Sequence, residues 1–274
     1  SSGFIGSAIQ RQAGDFFLHC WSHRHSDPEH HFELLDPSSW QSLLRRKPTC
    51  AILLSWPGLP NYHESFHVTR NLPACVELIE QLVEAGLKRL VVAGTCYEYG
   101  LKNGPLKEDQ STEPANCYAI AKDSLRRVIA SRYASQDLQW CWARIFYPYG
   151  QGQNPNSLLP SLLKALENCE EAFPMGSGRQ LRDFVDVKEV ASQLLTLAIH
   201  QDASGVYNVA SGIPRSVFEM AEQVVLSQGG KIILRRGVYS DRSDEPLAFW
   251  ANMDKFQSLP VSYTHLRAHE TSQH

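Results

Sequence analysis

Short apolar runs alternating with amphipathic stretches organise the first 150 residues. "DFFLHCW", "TCAILLSW", "LKRLVVAGT" and "QWCWARIF" are brief, continuous and bounded by turn residues. That is the pattern of strands buried on both faces of a parallel sheet. Between them, "LPACVELIEQLVEAG" places Cys75, Leu78, Ile79, Leu82 and Val83 on one helical stripe, and Gly86 supplies a stop. "YAIAKDSLRRVIASRYA" predicts a second amphipathic helix. Strand-helix alternation of this kind predicts a doubly wound α/β sheet with right-handed crossovers.

Beyond Gly150 the pattern loosens. "QGQNPNSLLPSLLKAL" reads as a loop entering a helix, "FPMGSGRQLRDFVDV" as a loop with one strand, and "VKEVASQLLTLAIHQ" as a helix. "GVYNVASG" reads as a strand, followed by a helix from Ser216 and a strand "KIILRR". The expected organisation is a first domain over 1–150, with 182–204 packing back on it, and a smaller lobe from 151–181 and 205–260. The last stretch, 261–274, follows no apolar period and reads as a tail foreign to the fold.

Composition narrows the function without fixing it. A net charge of -3 with no basic block argues against a nucleic-acid partner. No apolar run approaches the roughly 20 residues that span a bilayer, and no signal peptide is evident. The seven cysteines are scattered, odd in number and free of CxxC, which suits reduced thiols in the cytoplasm. The stretch "HCWSHRHSDPEHH" matches no helical metal-ligand pair, so no metal site is expected there.

The chemistry concentrates in "CYAIAK". Tyr118 and Lys122 are four apart, one above the other on a helix face. A free phenol titrates near about 10. A neighbouring ammonium would favour its phenolate and draw that value toward neutrality. Upstream, "VVAGTCYEYG" sets Thr95 at the carboxyl end of a predicted strand, the edge where open α/β sheets bind ligands. A hydroxyl there can donate to a carbonyl oxygen held beside Tyr118.

Together "SSGFIG", "TCYEYG", "YAIAK", "ARIFYPYGQGQ", "RQLRDFVDV" and "GVYNVASG" occur in the order of the extended short-chain dehydrogenase/reductase family. The chain most resembles its NAD-dependent epimerase/dehydratase group, which acts on nucleotide sugars, from Ser1 to about Leu259. The resemblance implies a Rossmann-like domain with a small C-terminal substrate lobe, and Thr95, Tyr118 and Lys122 as the catalytic set. Gly3, Phe4, Ile5 and Gly6 match the end of the family's glycine loop, with a helix N-terminus facing the pyrophosphate. The first strand and first glycine of that motif are missing, so the chain is expected to be a fragment. By the same resemblance Leu54, Ser55, Asn71 and Tyr147 join Tyr118 and Lys122 on the cofactor surface. The substrate would meet Thr95, Cys96, Asn156, Arg182 and Arg242, with the Arg182 fork on the diphosphate. A homodimer is also implied.

Two departures bear on specificity. NAD users of the family end the second strand with an acidic residue, whereas this chain has Ser22, His23 and Arg24 there. Ser22 and Arg24 suit a 2'-phosphate, which favours NADP(H) over NAD(H). Cys96 and Tyr97 replace the Asp-Glu pair of the sugar dehydratases, which argues against 4,6-dehydration. The expected activity is therefore 4-ketoreduction or 4-epimerisation of a nucleotide sugar. The alternatives are a reductase of a non-nucleotide carbonyl compound and a non-catalytic dinucleotide-binding protein.

Overall fold

The computed structural model describes residues 3–13, 18–24, 26–135, 137–241 and 246–260. In chain order the helices are α1 (Phe4–Gln12), α2 (Gln41–Arg45), α3 (Leu72–Glu84), α4 (Cys117–Arg132), α5 (Leu158–Glu167), α6 (Val187–Ile199), α7 (Val217–Ser227) and α8 (Asp254–Gln257). The strands are β1 (Cys50–Leu53), β2 (Arg89–Thr95), β3 (Gly104–Leu106), β4 (Gln139–Ile145), β5 (Tyr147–Tyr149), β6 (Ala172–Pro174), β7 (Leu181–Asp186), β8 (Gly205–Val209), β9 (Pro214–Ser216), β10 (Ile233–Arg235) and β11 (Phe249–Ala251).

The main sheet has the order β1-β2-β4-β8 and is parallel throughout. Every residue of β2 is buried, as a strand covered on both faces must be. Its side chains alternate between the faces. Leu90 and Val92 enter one core with Leu78, Ile79, Leu125, Ile129 and Trp142, beneath α3 and α4. Val91 and Ala93 enter the other with Ala8, Ile9, Val190, Leu194 and Leu197, beneath α1 and α6. This is the expected doubly wound α/β arrangement. A further core joins Leu162 and Ala165 of α5 to Ala221 and Val225 of α7, around Met175 and Ile232.

Some elements depart from expectation. Leu18–Trp21 carry no strand; Asp15–Phe17 of that run lie outside the described residues. The Trp21 indole donates to Glu29 O at 3.0 Å and to Ser42 Oγ at 3.2 Å, so it is held locally against residues 29–42. Among the described residues there, an isolated bridge joins Ser22 to His31. Gly205–Val209, expected in the smaller lobe, instead pairs with β4 as an edge of the main sheet, with Tyr207 and Val209 buried against α6. The 172–186 region holds two strands rather than one. The three-residue strands β3, β5, β9 and β11 are too short to show a period. The 261–274 tail falls outside the described residues.

Candidate active site

β2 ends at Thr95, and the chain turns at once into a short 3-10 segment, Cys96–Tyr99. Thr95 Oγ1 accepts from Tyr97 N at 3.3 Å, while Glu98 Oε1 accepts from Thr95 N at 2.9 Å, a reciprocal cap. The carboxylate lies directly under the strand. A Cβ on Gly94 would fall 2.1 Å from Trp142 Nε1 and 2.7 Å from Glu98 Oε1, so only glycine fits.

α4 supplies the other two groups. Asn116 caps it by accepting from Ala119 N at 2.9 Å, and Tyr118 N donates to Tyr62 O at 2.9 Å, latching the 57–66 loop onto its first turn. The Tyr118 side chain also meets that of Thr95, so the turn after β2 and the start of α4 come together at one point. Lys122 Nζ donates to Ala93 O at 2.7 Å and lies 4.0 Å from the Trp56 ring centre, with the Tyr118 ring centre at 6.0 Å. All three side chains are buried.

One expectation needs correction. Burial raises the Tyr118 phenol well above its ordinary value, reinforced by Tyr62 and Glu98 and only partly offset by the Thr95 side chain. The ammonium does not lower it, because its hydrogen bond goes to Ala93 O and its charge sits over Trp56. Burial in turn lowers Lys122 to about 8. The site therefore presents a neutral phenol, suited to giving a proton, beside an ammonium that titrates near neutrality.

Behind this pair lies a polar cluster that sequence reasoning missed apart from Asn71. Trp56 Nε1 donates to His67 Nδ1 at 3.0 Å, which leaves Nε2–H to donate to Asn61 O at 2.9 Å. Asn71 Nδ2 donates to Pro57 O at 2.9 Å, and its buried Oδ1 has no hydrogen-bond partner among the described residues. Tyr62 brings a second phenol ring to 5.6 Å from Tyr118 and 5.4 Å from Tyr97. Glu98 was legible in principle, since Thr-x-x-Glu after an apolar strand is a capping box. Trp56 and Tyr62 carry no local signal.

On the other side Tyr97 contacts Tyr147, and Arg182 stacks over Tyr147 and Phe249 at 5.5 and 5.2 Å. Arg182 then lines a cavity of about 550 Å³ with Asn156, Phe173, Met175, Gln180 and Asp241. The cavity has the size of a ligand pocket. Cys96 does not join it: the thiol is buried among Tyr99, Leu106 and Phe146, and burial raises it so that it stays protonated. Arg242 lies outside the described residues.

Gly3 is the N-cap of α1 and no side chain caps that end, so its first N–H groups are open to an anion. Phe4 and Ile5 pack against the core that holds Ala93 and Ile145, and Leu54 and Ser55 follow β1, on the same sheet edge as Thr95. These features, with the unpartnered Asn71 Oδ1, fit a dinucleotide. Ser22 and Arg24 lie on a turn held by the Ser22–His31 bridge, with Arg24 exposed. Among the described residues no cluster of His, Cys, Asp or Glu could hold a metal, and no helix is long and apolar enough to cross a membrane.

A family model described as "NAD dependent epimerase/dehydratase family" matches residues 1–210, and the chain belongs to that family. It is 32% identical over 203 residues, 73% of this chain and 74% of the relative, to the dTDP-6-deoxy-L-talose 4-dehydrogenase (NAD(+)) of Aggregatibacter actinomycetemcomitans. Among solved structures it is similar to MoeE5 in complex with UDP-glucuronic acid and NAD, at 25% identity and a TM-score of 0.79, over 94% of this chain and 89% of that one. RMD from Pseudomonas aeruginosa complexed with NADPH, 21% identical with a TM-score of 0.78 over 94% of this chain and 89% of that one, shares the fold.

Proposed function

We propose that the protein is an NAD(P)-dependent oxidoreductase that interconverts a nucleotide-linked hexose and its 4-keto form. The observation that carries this reading is the Tyr118 hydroxyl, beside the Thr95 side chain and one helical turn from Lys122, in a buried site whose Tyr97 meets Tyr147, the ring that Arg182 covers at the wall of the cavity. When bound, the nicotinamide supplies or takes up the hydride. Tyr118 gives its proton to the ketone oxygen, and Thr95 donates a second hydrogen bond to the same atom, stabilising charge as it develops. Lys122 holds ribose hydroxyls of the cofactor, Gly3–Gly6 present N–H groups to its phosphates, and Leu54, Ser55, Asn71 and Tyr147 line its path. Arg182 and Asn156 take the diphosphate, and Arg242 is a further candidate.

Cys96 and Tyr97 offer no acid-base pair for dehydration, and the relative that shares 32% identity is named for a 6-deoxy sugar. Both support a 6-deoxy-4-ketohexose substrate. The exposed Arg24 beside Ser22 supports NADP(H) as the preferred cofactor, although that relative is named for NAD(+). The exposed Ile120 and Val128 of α4 support pairing of two copies through α3 and α4. A cytoplasmic setting, where such cofactors and nucleotide sugars are available, belongs to the same reading.

The test is incubation of the protein with a panel of dTDP-, UDP-, CDP- and GDP-linked 4-keto-6-deoxyhexoses and either NADPH or NADH. Stoichiometric loss of reduced cofactor supports the reductase. Stereochemical change without it indicates a 4-epimerase. No turnover, with no binding of any nucleoside diphosphate, refutes the nucleotide-sugar reading.

A further inference from the structure

The carboxylate of Glu98 is completely buried, and so is the Arg144 guanidinium beside it, at 0% and 1% exposure. Glu98 Oε2 accepts from Arg144 Nε at 2.9 Å, and Oε1 accepts from Thr95 N at 2.9 Å and Trp142 Nε1 at 2.8 Å. The guanidinium is fixed from its other side. It lies 4.4 Å from the centre of the Tyr99 ring and donates to Glu108 O at 3.3 Å, while Tyr99 OH donates to Asn208 Oδ1 at 2.7 Å. Groups from β2 and β4 thus converge on one carboxylate beneath the end of the strand.

Stability does not account for this arrangement. Replacing a buried ion pair by apolar side chains of similar volume is often neutral or stabilising. The pair also makes demands elsewhere, since Gly94 has no room for a side chain. What Glu98 touches is the residue that meets Tyr118. Its Oε1 anchors the Thr95 amide, and the Thr95 hydroxyl leaves that anchored, extended backbone toward the phenol.

We propose that Glu98, neutralised by Arg144, is a positioning residue of the active site that aims the Thr95 hydroxyl at Tyr118. The inference rests on the proposed role of Thr95 and Tyr118. The charge of Glu98 acts in the same direction, because it disfavours the Tyr118 phenolate and favours the Lys122 ammonium. Tyr118 also faces Tyr62, His67, Thr95, Cys96 and the more distant Lys122; Lys122 also faces Cys75 and Trp56. Glu98 is the carboxylate that acts on both groups. Burial raises the Glu98 carboxyl above its ordinary range, against the pull of Arg144 and of the Thr95 and Trp142 N–H groups. Accepting from three N–H donors and giving to none is the geometry of the carboxylate, and Glu98 in turn more than offsets the cost of burying the Arg144 charge.

Three variants separate geometry from charge, each assayed for reduction of a dTDP-linked 4-keto-6-deoxyhexose and for binding of NADPH and dTDP. Glu98→Gln is expected to lower kcat about a hundredfold with little change in binding, the cost of a misplaced group. It should also move the Lys122 titration, followed by 13C NMR of the lysine ε-carbon, below its position near 8. Glu98→Asp keeps the charge but cannot reach Thr95 N, so kcat should fall while the Lys122 titration stays. The double variant Glu98→Gln, Arg144→Met removes both charges and remains informative should the single variant unfold; its kcat should fall as well. Wild-type kcat in either folded Glu98→Gln form, or an unmoved Lys122 titration, overturns the inference. Turnover surviving in Tyr118→Phe would instead overturn the reading on which it rests.

Discussion

The ammonium of Lys122 lies 4.0 Å from the centre of the Trp56 ring, and Trp56 is held in turn by its N–H bond to His67 Nδ1 at 3.0 Å. An aromatic face is among the few ways to keep a buried cation charged without a carboxylate in contact. Trp56→Phe keeps the face and loses the donor, so it should cost about 1 kcal/mol and retain turnover. Trp56→Leu loses both and should cost about 3 kcal/mol. Denaturant midpoints at constant slope check the ranking; equal losses would show that the ring face contributes nothing.

The alkaline limb of the pH-rate profile should belong to Lys122. Its ammonium loses a proton near 8, while the Tyr118 phenol, raised by burial, stays protonated beyond its ordinary range. kcat/KM should therefore fall as pH rises through about 8. Lys122→Arg, whose guanidinium keeps its proton to about 12 or above, should retain partial turnover and lose that limb. An unchanged limb in Lys122→Arg would assign it to another group.

Gly94→Ala should act on the site through packing. Its methyl would meet Trp142 Nε1 and Glu98 Oε1 at 2.1 and 2.7 Å, distances that force one of them to move. A loss of about 1–3 kcal/mol is expected, together with a fall in kcat. Thermal melting and kinetics of the same preparation check both; wild-type values of both would show that the carboxylate is free to shift.

Arg182→Lys should weaken nucleotide binding selectively. The buried guanidinium is stacked against Tyr147 and Phe249 at the wall of the cavity, a geometry that an ammonium does not reproduce. Losing a charge-assisted fork costs about 1.5–3 kcal/mol, so dTDP affinity should drop about tenfold to a hundredfold. NADPH affinity should hold. Calorimetry with each ligand distinguishes this from general destabilisation.

The strands β2 and β4 and the helices α3 and α4 were legible because a run buried on both faces, or a stripe of Leu78, Ile79 and Leu82, leaves a period in the sequence. Tyr118 and Lys122 were legible because a helix converts a spacing of four into a shared face. The lobe assignment of 205–209 failed because membership of a sheet is a long-range property, fixed by pairing with Cys141–Ile145. The phenol's titration failed for a related reason. Spacing shows that an ammonium is near, but not that Ala93 O and Trp56 hold it, nor how deeply Tyr118 is buried. Glu98 was overlooked because its partner Arg144 lies on β4, far along the chain.

The central claim is that the Tyr118 phenol carries the proton transferred to substrate. The direct measurement is kcat of Tyr118→Phe with a dTDP-linked 4-keto-6-deoxyhexose, alongside calorimetric binding of NADPH and dTDP. The account predicts a loss of about a hundredfold to ten-thousandfold, the usual share of general acid catalysis, with both affinities within about twofold of wild type. Turnover at the wild-type rate in the folded variant would contradict it.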